Sequence, residues 1–130
     1  LKKEAYVIRN RYKEAQENFG LTLSNRAGNL ENASFKVYSL KEPLKKPCTY
    51  PSYMFFVNYN GDVLMCSHDW GKKLILGNWN KNSFSEIWRG KKSMIARKRL
   101  NNADRKFSPC DKCDVMGDVV GEMHVKGWKN

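Results

Sequence analysis

Ala5, Ile8, Tyr12, Ala15 and Phe19 recur at helical spacing, with Lys, Glu, Arg and Gln between them. This pattern predicts an amphipathic helix over residues 2–18, stopped at Gly20. Leu21-Thr22-Leu23-Ser24 then reads as a short strand and Asn25-Arg26-Ala27-Gly28-Asn29 as a loop. Helix, strand and loop make half of an α/β repeat. A parallel strand is not stable as a lone edge, so residues 1–29 are expected to belong to a larger sheet. Residues 30–47 are polar and then rich in Lys and Pro, with Pro43 and Pro47 opposing regular pairing. They read as a linker, with a boundary near Cys48.

Beyond that boundary the pattern changes to short strands. Tyr53–Tyr59 and Asp62–Ser67 flank Asn60-Gly61, which predicts a hairpin with a type I′ turn. A further short strand is expected at Leu74-Ile75-Leu76, closed by Gly77-Asn78. Ser83-Phe84-Ser85-Glu86 is a capping box opening a helix through Ile87 and Trp88 towards Gly90. A second helix is expected from Ser93 to about Asn102, with Met94, Ile95 and Leu100 inward and Arg97, Lys98 and Arg99 outward. The tail from Val115 to Asn130 has weak periodicity. The expected fold class is therefore α+β: a hairpin and two helices over residues 48–130, after a helix–strand piece.

Composition narrows the setting. At 130 residues and 41% hydrophobic, the chain can bury a modest core and gains from an extra tie. No stretch reaches the roughly 20 apolar residues that span a bilayer. The opening Leu1-Lys2-Lys3-Glu4-Ala5 has neither a signal-peptide core nor an initiator Met. A cytoplasmic chain, cut from something longer and without a membrane partner, is the expectation. The net charge of +11 attracts phosphates, acidic peptides or nucleic acid without choosing among them.

The four cysteines carry the chemistry. In a reducing cytoplasm they point to metal ligands more than to disulfides. In Cys48-x12-Gly61-x4-Cys66, a chain that reverses at Gly61 brings two sulfurs together. Cys110-Asp111-Lys112-Cys113 supplies a second pair, with nearby amides free to bond to sulfur. Two pairs of thiolates suit a cubane cluster or a tetrahedral zinc, and the spacing leaves both open.

Cys48-x12-Gly61-x4-Cys66, Leu76-Gly77-Asn78, Ser83–Trp88, a basic helix and Pro109-Cys110-x2-Cys113 together resemble a SPASM domain, and more closely its shortened form, the Twitch domain. The resemblance covers about residues 48–114. It implies a C-terminal extension of a radical S-adenosylmethionine enzyme that holds an auxiliary [4Fe–4S] cluster through Cys48, Cys66, Cys110 and Cys113. Full SPASM domains carry seven cysteines and two clusters, whereas this chain has four, enough for one. The catalytic Cys-x3-Cys-x2-Cys motif of such enzymes is absent from this sequence. S-adenosylmethionine and a second cluster are therefore expected only in a preceding part, and this chain alone is not expected to be catalytic. Residues 1–29 would be the last helix and strand of the partial (β/α) barrel.

The resemblance also implies a role in accepting an electron from a substrate radical or in anchoring the substrate. Its partners would be the rest of its own barrel and a small-molecule or peptide substrate. Arg26 would lie near the barrel mouth and hold a substrate anion or hydroxyl; a loop-closing role for Asn25-Arg26 is the plainer expectation. His68 and Asp69 follow Cys66 closely, yet four sulfurs complete a cluster, and an exposed histidine paired with an acid is the simpler reading. Tyr53, Phe55, Phe56, Trp79, Phe84 and Trp88 are expected to build the core around the cluster, with Trp70 nearer the surface. The alternative function is a zinc-stabilised basic module contacting nucleic acid or a partner protein. Aromatics that read as core, not interleaved with the basic run, count against nucleic acid.

Overall fold

The computed structural model describes residues 24–119. The amphipathic helix expected over residues 2–18, the strand at 21–23 and the tail beyond Val119 lie outside the described residues. Among the described residues, no helix is long and apolar enough to cross a membrane.

The hairpin forms, but shorter than the alternation suggests. Pro51 sits in the first turn of a short helix, α1 (Tyr50–Tyr53), where its fixed φ suits helix initiation. Strand β1 is only Phe56–Val57, paired antiparallel with β2 (Asp62–Leu64). The turn is not type I′. Positive φ falls on Gly61 and not on Asn60, Gly61 N–H donates to Asn58 O at 2.9 Å, and Asn58 N–H donates to Asp62 O at 2.8 Å. This is a three-residue loop closed by a left-handed glycine. Asn60, whose φ is not positive, is held by its own side chain: Oδ1 accepts from Asp62 N–H at 3.1 Å and Nδ2 donates to Asp62 Oδ2 at 2.7 Å.

Strand β3 (Ile75–Asn78) completes a three-stranded antiparallel sheet in the order β1-β2-β3. Gly77 and Asn78 belong to the strand and do not close it. Register slips between Val63 and Leu64, so that Val63 faces Gly77 and Leu64 faces Ile75. Helix α2 (Phe84–Trp88) has the full capping box, with Glu86 N–H donating to Ser83 Oγ and Ser83 N–H donating to the Glu86 carboxylate at 2.7 Å. It lies so near the sheet that a Cβ on Gly77 would stand 2.9 Å from Ile87 Cγ1.

Helix α3 (Lys91–Asn101) starts two residues earlier than expected and on a different phase. Ser93, Ala96 and Leu100 face inward, while Met94 and Ile95 are exposed. Small side chains win the inner face because the helix packs close: Ser93 Oγ donates to Ile87 O at 2.6 Å. The core comprises Met65, Ala96, Leu100 and Cys110, with Cys48, Leu74, Leu76 and Phe107 against it. Cys110 thus belongs to the core, and Cys48 packs against it.

The expected aromatic core is not there. Tyr53, Phe56, Trp79 and Phe84 are exposed, because a small sheet with short strands buries little of its outer surface. Phe55, Trp79, Phe84 and Trp88 instead cluster with one another, Phe84 stacking on Trp88 at 5.5 Å. Arg97 lies over the Trp88 ring at 4.5 Å and donates to the Trp88 carbonyl. Arg99 pairs with Asp104 at 2.7 Å, so the basic helix is partly engaged within the fold. Trp70 is exposed, as anticipated.

Candidate metal centre

Three separate pieces of backbone bring the four cysteines together. Cys48 precedes α1, and its N–H donates to Leu100 O at 3.1 Å, tying it to the end of α3. Gly117 presses on it: at φ +80°, a Cβ there would stand 2.5 Å from Cys48 Sγ. Cys66 follows β2, and the backbone N–H groups of His68 and Asp69 donate to its sulfur. Asp69 is fully buried, and its carboxylate accepts from the N–H groups of Lys73 and Leu74 at 3.0 and 2.9 Å. Through these bonds it closes the loop after Cys66. Cys110 opens a 3₁₀ turn (Cys110–Lys112), with Cys113 just past its end. The Val115 N–H donates to the Cys113 sulfur.

All four cysteines line one recess, together with Arg105 and His68. None is in a disulfide. Burial, ahead of the neighbouring sulfurs, pushes the Cys66 thiol up to about 12 and also raises Cys110 and Cys113. Arg105 works the other way on Cys110 and Cys113. Thiols held this way keep their protons near neutrality unless a metal displaces them, so metal binding would release protons. Among the described residues, no three His, Cys, Asp or Glu side chains converge tightly enough to hold a single ion. Four soft thiolate donors at one recess are the donor set of an iron–sulfur group, and one that zinc also takes.

Beside the cysteines lies a second cluster of polar groups. His68 is half-buried, stacks on Tyr50 at 5.7 Å and contacts Ser24 Oγ at 3.2 Å and Arg26 Nη1 at 3.4 Å through Nδ1. The expected exposed histidine paired with an acid is therefore corrected. Burial and the Arg26 guanidinium hold its imidazole below the ordinary range. Arg26 spans from His68 to the exposed Trp70 ring at 4.9 Å, and its buried Nε has no partner among the described residues. Arg26 and Ala27 both take left-handed backbone, with φ of 50° and 55°. Asn25 Nδ2 donates to Tyr38 O and Lys112 O, and its Oδ1 accepts from the N–H groups of Gly28 and Asp114.

Residues 48–114 match the SPASM family, an iron–sulfur cluster-binding domain. This chain belongs to the SPASM family. It is 33% identical over 105 residues to the S-adenosyl-L-methionine-dependent 2-deoxy-scyllo-inosamine dehydrogenase of Niallia circulans, covering 80% of this chain and 40% of that protein. Its structure resembles the crystal structure of BtrN in complex with AdoMet and 2-DOIA, with a TM-score of 0.61 and 32% identity over 75% of this chain and 37% of that one. Selenomethionine BtrN in an open conformation gives a TM-score of 0.50 and 28% identity, over 58% of this chain and 39% of that one. The chain spans about 40% of the length of the curated relative it matches.

The SPASM segment thus contains all four cysteines singled out by spacing, and the fold brings them to one recess. Arg26 is placed beside that recess through His68. Arg105 carried no signal in the sequence, being one cation in the charged run Asp104-Arg105-Lys106. Only the structure shows it buried against the cysteines.

Proposed function

We infer that this chain is the C-terminal part of a radical S-adenosylmethionine enzyme and holds one auxiliary [4Fe–4S] cluster through Cys48, Cys66, Cys110 and Cys113. The observation that carries this reading is four cysteines from three backbone segments lining one recess within the SPASM match. When bound, such a cluster supplies a one-electron acceptor for a substrate radical. The chain's own part is burial, the amide donors on Cys66 and Cys113, and a fixed distance to the substrate. The similarity to a dehydrogenase of an amino-cyclitol supports oxidation of a secondary alcohol as the parent reaction. Residues 1–29 then belong to the barrel, 30–47 to the linker and 48–130 to the shortened, single-cluster domain.

Anaerobically purified chain is expected to contain about four irons and four acid-labile sulfides. One zinc per chain, no sulfide and failed reconstitution with iron would overturn the cluster assignment.

Arg26 is assigned to the substrate. Its unpartnered buried Nε and the strained backbone beneath it support a guanidinium held ready for a hydroxyl or anion. A hydrogen bond to a charged group contributes about 1.5–3 kcal/mol, so Arg26→Gln in the full-length enzyme is expected to raise KM for 2-deoxy-scyllo-inosamine about tenfold or more, with iron content unchanged. An unaltered KM would remove Arg26 from the substrate site.

A further inference from the structure

Arg105 is only 1% exposed and heads the fully buried side chains of the described residues. Its guanidinium reaches four backbone carbonyls: Nε donates to Lys46 O at 2.7 Å, Nη1 to Val115 O at 2.6 Å, and Nη2 to Pro47 O at 2.9 Å and Met116 O at 2.7 Å. Neither ion pair among the described residues includes it. A guanidinium keeps its charge in proteins, and burying one costs several kcal/mol unless an opposite charge compensates. Carbonyl dipoles satisfy its donors but leave its net charge in place.

Two placements say what that charge faces. Arg105 lines the same recess as Cys48, Cys66, Cys110 and Cys113. The carbonyls it grips flank the ligands, Lys46 and Pro47 just before Cys48, Val115 and Met116 just after Cys113. One side chain therefore fastens the segments carrying two of the four cysteines and brings a positive charge to their sulfurs. A cluster with four thiolate ligands is anionic and becomes more so on one-electron reduction. A fixed buried cation beside it favours the reduced form, because Coulomb interactions are little screened there.

We propose that Arg105 is the cluster's built-in counter-cation, a positioning residue that raises its reduction potential and so makes it a better electron acceptor. This rests on the cluster reading above. The experiment is a potentiometric titration, followed by electron paramagnetic resonance, of the full chain reconstituted anaerobically with iron and sulfide. Arg105→Gln, which removes the charge, is expected to lower the equilibrium constant for one-electron reduction at least about tenfold, a midpoint about 59 mV more negative. Arg105→Lys also loses carbonyl bonds but keeps the charge, and its midpoint is expected nearer the wild type than the glutamine variant. If the glutamine variant does not load, a lysine variant that loads at the wild-type midpoint still supports the proposal. Equal displacement in both variants, or none in Arg105→Gln, overturns it. So does failure of both to assemble a cluster, since the lost carbonyl bonds then account for the whole effect. A wild-type chain without iron and sulfide would overturn the cluster reading itself; a loaded wild type with unmoved variants overturns this inference alone.

Discussion

Replacing Cys113 by alanine in the full-length enzyme will abolish the oxidised product while cleavage of S-adenosylmethionine continues. The two activities separate because Cys113 lies in the SPASM segment, and this chain has no Cys-x3-Cys-x2-Cys motif for the radical-generating cluster. Cys113 is buried, receives an amide hydrogen bond at sulfur from Val115 and lines the recess shared with the other three cysteines. An alanine there leaves three sulfurs at the recess, one short of the four thiolates that hold such a cluster. Product is expected to fall by at least about a thousandfold, the scale of losing an essential redox or catalytic group. The checks are product by mass spectrometry, S-adenosylmethionine consumption in the same reaction, and iron content. Full turnover by the variant would show that the electron leaves the substrate by another route. Loss of both activities together would assign the cluster to holding the barrel in shape.

The sequence was most legible where structure is local. The capping box Ser83–Glu86, the reversal at Gly61 and the Cys110-x2-Cys113 turn each depend on residues a few positions apart, and each formed. Errors came where neighbours distant in sequence decide the outcome. Met94 and Ile95 are more apolar than Ser93 and Ala96, yet close packing against α2 favours the smaller pair inside. Phe55, Trp79, Phe84 and Trp88 read as core from their strand and helix settings, but the core is already filled by Met65, Leu100 and the cysteines. They gather with one another beside it, Trp79 and Phe84 exposed and Phe55 and Trp88 half-buried. This also removes the premise that the aromatics lie apart from the basic residues, since Arg97 sits over Trp88. Arg105 shows the limit most plainly. Its four acceptors lie 10 to 59 positions away, and nothing in its immediate neighbours marks it.

The same distance effect underlies the second large expected result, at Asn25. The loop-closing role anticipated for this position holds, over a longer reach than the five-residue loop suggested. Nδ2 donates to Tyr38 O at 2.9 Å and to Lys112 O at 2.6 Å, while Oδ1 accepts from Gly28 N–H at 3.1 Å and Asp114 N–H at 3.3 Å. The Asn25 backbone N–H adds a bond to Asp114 Oδ2 at 2.8 Å. One buried amide thereby fixes both residues that bracket Cys113. Asn25→Ala takes the partner from two donors and two acceptors in part-buried bonds, at about 1–3 kcal/mol for each group that finds no new one. A loss of about 3 kcal/mol or more in denaturant unfolding is expected. Asn25→Asp should be no better, because a carboxylate would face the carbonyls of Tyr38 and Lys112 where an amide donated. Freed from this clamp, Cys113 should also release iron to a chelator about 10–100-fold faster, the usual scale for supports behind a metal ligand. Stability within about 0.5 kcal/mol of wild type, with unchanged iron release, would show that the loop carries its bonds without Asn25. A stability loss with normal iron release would mean that the cluster ligands hold Cys113 in place by themselves.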